Sequence, residues 1–158
     1  MKNSGTHLAL IFLLWTLIHS TLCFAQNDKK TTVIFVCEHG GARSTIASLY
    51  FNRMAHENDL PYRSVFRGLT PEATITNETR KGLIADGFQT TKLTPVALAM
   101  KDVDKNTLLI SLDCAVPSSY GTFQAWTGIP PISTDYRAAR EEIVRQLNQL
   151  IIELKKRQ

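Results

Sequence analysis

An α/β domain with a parallel sheet is what the order of segments in this sequence predicts. Two short apolar runs, Val33 to Val36 and Thr107 to Leu112, have the length and composition of strands buried on both faces. Segments with helical spacing lie between and after them. Each run leads into a cysteine, Cys37 and Cys114. Ligands of such sheets bind beyond the carboxyl ends of the strands, where both cysteines fall.

The first 25 residues stand apart. Lys2 precedes an apolar run, Leu8 to Ile18, and His19 to Ala25 follows, closing on Cys23-Phe24-Ala25. This is the layout of a secretory signal peptide cut after Ala25; a retained anchor is the alternative, although the run is short for a membrane span. Residues 26–158 are then one domain, secreted or periplasmic, with no stable membrane insertion. The composition is ordinary for a globular chain, 44% hydrophobic and 20% charged. Lys2 is the only charge in the leader, so its loss takes the net charge from +4 to +3, and the pI near 9.1 identifies no partner. Lys155, Lys156 and Arg157 complement the negative end of a terminal helix. Without a basic stripe interleaved with aromatics, nucleic-acid binding is not expected. Zinc spacings and nucleotide loops of the Gly-Lys-Ser type are likewise missing, so neither metal nor cofactor is expected. Two cysteines remain, Cys37 and Cys114, in a compartment that permits disulfides.

Asn27 to Thr31 is a polar lead-in to the first strand. Cys37 ends that strand, and Glu38, His39, Gly40, Gly41 and Ala42 separate it from Arg43 and Ser44. Ile46, Leu49, Tyr50 and Met54 continue with helical spacing, predicting a helix from Ser44 to about His56 that Asn58 and Asp59 end before Pro61. Strand, glycine-bearing loop and helix N-terminus together build an anion site: successive N–H groups form a concavity, and the helix adds unpaired donors and the positive end of its dipole. Gly40 and Gly41 allow positive φ, and Arg43 offers a planar fork for two oxyanion oxygens. Backbone dipoles and the guanidinium favour the thiolate of Cys37, which facing a bound phosphate is a nucleophile. Ser44 is placed to donate a hydrogen bond to that sulfur and to help cap the helix.

Tyr62 to Arg67 alternates as a second strand closed by Gly68. Thr76 to Asp86 reads as a helix capped by Thr74 or Thr76, with Leu83 and Ile84 inward and Gly87 as its stop. Thr94-Pro95 predicts a short helix through Met100. Thr107 to Leu112 is the next strand. Ala115 to Thr134, rich in Pro, Ser and Gly, is loop, with a short strand near Phe123 to Trp126 and Trp126 as a packing residue. Asp135 caps a last helix carrying Ala139, Ile143, Leu147, Leu150, Ile151 and Leu154 on one stripe.

An apolar strand followed by Cys, five residues, Arg and Ser resembles the low-molecular-weight protein tyrosine phosphatase superfamily, which includes thioredoxin- and mycoredoxin-coupled arsenate reductases. Cys37, Arg43 and Ser44 match that signature, and FVCEHGGARSTIASLYFNRMA is closest to the arsenate-reductase-like branch. The resemblance spans nearly the whole mature chain, with Arg67-Gly68-Leu69 loosely matching a Ser-Ala-Gly-like turn. It implies a three-layer fold with a four-stranded parallel sheet. It also implies a substrate that is a phosphorylated small molecule, a phosphoprotein or arsenate, with Glu38 to Arg43 as the binding loop.

The resemblance leaves gaps. An aspartate before proline, preceding the last helix, serves the family as general acid, and this chain has Gly128-Ile129-Pro130-Pro131 there. Asp135 is a candidate acid or simply a helix cap, and Asp113 a nearby carboxylate or a turn residue. Gly40 stands where the family has a bracing asparagine. His39 either adds charge near the anion or is solvated. Thioredoxin-coupled reductases use two further cysteines, and here only Cys114 remains, as a resolving thiol toward a thiol reductant or a structural residue. In the family's strand order the strands ending at Cys37 and Cys114 are neighbours, which allows a disulfide between them. The expected activity is phosphate monoester hydrolysis through a phosphocysteine on Cys37. The alternatives are arsenate reduction with Cys114, or a non-catalytic oxyanion-binding module.

Overall fold

A computed structural model describes residues 31–157, so the leader and its cleavage site lie outside the described residues. Four strands, β1 (Thr31–Cys37), β2 (Tyr62–Gly68), β3 (Thr107–Leu112) and β4 (Gln124–Trp126), form one sheet in the order β2-β1-β3-β4, every pair parallel. Three helices accompany them: α1 (Arg43–Glu57), α2 (Asn77–Ala85) and α3 (Tyr136–Lys155). β1 is central, and Val33 to Val36 are at most 1% exposed, as a strand covered on both faces must be.

Alternation along β1 sends its side chains into two cores. Val33, Phe35 and Cys37 join the main cluster, where Phe51 of α1 and the stripe Ala139, Ile143, Leu147, Leu150, Ile151 and Leu154 of α3 pack against the sheet. Trp126 closes that layer, its ring centroid 5.6 Å from that of Phe35. Ile34 and Val36 face a second cluster with Leu98, Leu109 and Val116, covered by non-helical chain. The three layers are therefore unlike in kind. One outer layer is helical; the other consists of irregular segments and two short 3-10 turns, Met100–Asp102 and Ser118–Tyr120.

The sequence pattern misplaces one element on that second face. The short helix expected from Thr94 through Met100 does not form; Ala97 makes a parallel bridge to Gly68, which donates to Val96 O (2.9 Å) and accepts from Leu98 N (2.9 Å). Pro95 pushes Thr94 out of the helical region, and the free edge of β2 offers partners that a helix would have refused. Ile84 is also not inward: it is 57% exposed, and Leu83 alone of that pair is buried. The cap of α2 is Thr76, whose hydroxyl accepts from Thr79 N, and Gly87 beyond it has φ +81°.

α2 is fastened to α3 by Asp86, which accepts from the Tyr136 hydroxyl (2.6 Å) and from Arg140 (2.9 Å). Burial alone would push the Asp86 carboxyl up, but hydrogen bonds from Tyr136 and Tyr50 and the Arg140 guanidinium outweigh it and hold the group below the usual carboxylate range. The Tyr136 ring lies flat on Gly82, so that a Cβ there would fall inside it. In a free helix Gly→Ala gains about 1 kcal/mol. Here the overlap with a ring tethered to Asp86 should outweigh that gain, and Gly82→Ala is expected to cost roughly 1–3 kcal/mol in denaturant unfolding. Equal or higher stability would mean that the Tyr136 ring is not held there.

Candidate active site

β1 delivers Cys37 to the sheet's carboxyl edge, and residues 38–42 wrap over it before α1 begins at Arg43. The loop's outer side is fully engaged. The carbonyls of Cys37, Glu38, His39 and Gly41 accept from the N–H groups of Leu69, Thr70, Glu72 and Thr76, at 2.9 to 3.2 Å. In a trans peptide the next N–H points opposite to its carbonyl, so the donors of Glu38, His39, Gly40 and Ala42 turn inward. The first turn of α1 adds its own unpaired donors. The result is a concave set of N–H groups above a sulfur.

Gly40 has the positive φ such a nest needs (+68°), whereas Gly41 does not. Gly41 is small for another reason: a Cβ there would stand 3.0 Å from Thr74 O. Gly40 also packs on Gly68, and a Cβ at position 40 would come within 2.9 Å of Gly68 N. Backbone contact thus braces the loop where the resembled family has an asparagine side chain. Thr45 adds to it by donating to Gly40 O (2.7 Å).

Cys37 Sγ lies 3.1 Å from Ser44 Oγ at the base of this concavity. The helix starts one residue earlier than expected, with Ala42 as an N-cap that makes no side-chain bond, so Ser44 serves the sulfur and not the cap. Arg43 donates from Nη2 to Ile129 O (3.3 Å), and its Nε is buried without a hydrogen-bond partner, 3.6 Å from Asp113 Oδ2. Arg43 also lines the cavity over Cys37, and a guanidinium there is a binding group for an oxyanion. The cavity over Cys37 measures about 90 Å³ and is lined by Glu38, His39, Gly41, Ala42, Arg43, Glu72 and Thr76. Thr70 holds two of these at the rim, donating to Glu38 Oε1 (2.8 Å) and meeting His39 Nδ1 through its backbone oxygen (3.2 Å).

Two expected participants are placed elsewhere. Asp135 accepts from Ala138 N (3.0 Å) as the N-cap of α3 and does not line the cavity. Cys114 belongs to the second cluster, on the opposite face of the sheet from Cys37, with its sulfur 3.4 Å from Val36 O. Burial pushes its thiol up to about 11, with the nearby Cys37 adding to the shift. Both cysteines are free thiols. β1 and β3 are neighbours as expected, but β3 ends two residues before Cys114, and the intervening turn carries that side chain to the other face.

Asp113 makes that turn. It has φ +49°, a region aspartate tolerates. Its carboxylate accepts from Gly128 N (2.9 Å) and Ile129 N (3.0 Å), so it ties the segment that receives Arg43 to the end of β3. Asp113→Ala removes two charge-assisted bonds and leaves alanine at a positive φ. With discounting for partial exposure, an unfolding measurement should register a loss of about 2 kcal/mol. A loss under about 0.5 kcal/mol would show that the segment is held without it.

No family model matches the chain, and no curated protein matches it in sequence. Solved structures do match in shape. YfkJ from Bacillus subtilis superposes with a TM-score of 0.73 at 15% identity, covering 84% of this chain and 99% of that one. A low-molecular-weight protein tyrosine phosphatase from T. tengcongensis gives 0.62 at 16% identity over 78% of this chain and 99% of its own. The chain has the low-molecular-weight tyrosine phosphatase fold. An arsenate reductase from Archaeoglobus fulgidus shares it at TM-score 0.62 and 24% identity, covering 75% of this chain and 98% of that chain. Phosphatases and arsenate reductases thus stand side by side among the matches to this phosphatase fold, which is shared by enzymes of both activities.

Proposed function

We propose that the chain is a secreted or periplasmic hydrolase that cleaves phosphate monoesters through a phosphocysteine on Cys37. The observation that carries this reading is the junction of three features at one cavity: a sulfur at the base of inward N–H groups, Ser44 Oγ 3.1 Å from it, and the Arg43 guanidinium in the cavity lining. The cradle binds three oxyanion oxygens, the guanidinium spreads the charge that develops on them, and the thiolate attacks phosphorus opposite the leaving oxygen. Ser44 then steadies the sulfur when it must leave again. The small cavity takes the phosphoryl group alone, so the remainder of the substrate, a small molecule or a phosphoprotein, lies on the rim.

Arsenate reduction is the second reading, supported by the neighbouring reductases and by a second thiol at the same sheet edge. Against it stand the partial burial of Cys114 and its packing against the second cluster, since a resolving thiol has to reach Cys37 as a thiolate. A non-catalytic oxyanion module is the third. Phosphate release from an aryl phosphate, measured beside arsenate-dependent oxidation of a thiol donor, separates them. The hydrolase reading expects turnover in the first assay with little in the second. Arsenate turnover alone would reverse the assignment, and oxyanion binding with no turnover in either would leave the binding module.

A further inference from the structure

We propose that Glu72 is the acid–base group of this site, an inference that rests on the hydrolase reading above. Cleaving a phosphate monoester leaves an alkoxide or phenoxide that needs a proton, and a carboxylic acid at the cavity mouth is the ordinary source. Neither carboxylate closest to the family's expected position is available. Asp135 is committed to Ala138 N, and Asp113 to Gly128 N, Ile129 N and the Arg43 guanidinium.

Two carboxylates line the cavity over Cys37, Glu38 and Glu72. Glu38 accepts the Thr70 hydroxyl at 2.8 Å. Glu72 is held by its backbone, whose N–H donates to His39 O (3.1 Å), while its carboxylate makes no hydrogen bond or ion pair among the described residues. That carboxylate reaches over the cradle: Oε2 lies 3.6 Å from the point where a Cβ on Gly41 would stand. Its position is thus set by the loop that also shapes the oxyanion site, and the carboxyl remains free to exchange a proton. At about 90 Å³ the cavity falls well below the roughly 300 Å³ from which small-molecule pockets start, so the leaving group emerges at the rim beside Glu72.

The steps balance. In the first, Cys37 S⁻ bonds to phosphorus as the P–O bond breaks, and the Glu72 carboxyl gives its proton to the departing oxygen, becoming carboxylate. In the second, a water oxygen bonds to phosphorus, its proton passes to Glu72, and the S–P bond breaks to restore the thiolate and release inorganic phosphate.

The test compares wild type, Glu72→Gln and Glu72→Asp on phenyl phosphate and para-nitrophenyl phosphate, with calorimetric binding of inorganic phosphate as the check on the cradle. Glu72→Gln should slow phenyl phosphate about a hundredfold and para-nitrophenyl phosphate less than about tenfold, because only the poorer leaving group depends on the proton. Phosphate affinity should stay within about twofold, and Glu72→Asp should recover part of the loss. Equal slowing of the two esters, or no slowing, in an enzyme whose wild type turns over would overturn the role of Glu72 alone. A wild type with no Cys37-dependent turnover would overturn the hydrolase reading itself.

Discussion

Replacing Cys37 with serine should take aryl phosphate turnover to background while oxyanion binding stays within a few-fold of wild type. The side chain is 5% exposed and packed at the end of β1, and serine is smaller, so the backbone cradle of residues 38–42 has no cause to shift. What changes is the nucleophile. A serine hydroxyl is a far poorer nucleophile toward phosphorus than a cysteine sulfur, and loss of an enzyme's nucleophile costs roughly 10⁴-fold or more in rate. Steady-state assays paired with calorimetric titration of inorganic phosphate give both numbers. Residual turnover above about 1% would place the reacting group elsewhere and leave Cys37 as a buried structural thiol.

Arg43→Lys keeps the charge and should still weaken oxyanion binding at least tenfold, about 1.4 kcal/mol. The guanidinium is used as a shape. Its Nη2 reaches Ile129 O, its Nε faces Asp113 at 3.6 Å, and the side chain lines the cavity over Cys37. Lysine presents one flexible point of charge and cannot hold the Ile129 carbonyl while meeting two oxyanion oxygens in a plane. The loss should be larger in turnover than in binding, since charge on the equatorial oxygens is greatest in the transition state. Affinity within about twofold of wild type would mean that the backbone donors alone hold the anion.

Most of the fold was legible because its cues are local. The apolar run of β1, the buried face of β3 and the six-residue stripe of α3 are set by periodicity, and the structure repeats them nearly residue for residue. The segment around Pro95 was not legible: its conformation is decided by the open edge of β2, a partner distant in sequence. The same division runs through the site. Cys37, Arg43 and Ser44 announce themselves by spacing, as consecutive parts of one strand–loop–helix unit. Glu72 carries no such mark. The topology would have put the loop after β2 on the cradle's edge, but only the hydrogen bond from Glu72 N to His39 O settles which of its side chains overhangs Gly41. The sequence leaves Asp113 as a nearby carboxylate or a turn residue; the structure has it at a turn, and its service to Ile129, and through it to Arg43, depends on a contact across 16 residues.

The most direct measurement is interception of the covalent intermediate. Protein mixed with an aryl phosphate and quenched in acid within milliseconds should carry one phosphoryl group, found by mass spectrometry on the peptide containing Cys37, and the label should disappear as substrate is exhausted. A hydrolase that turns over with no label on Cys37, or with the label on another residue, would contradict the account.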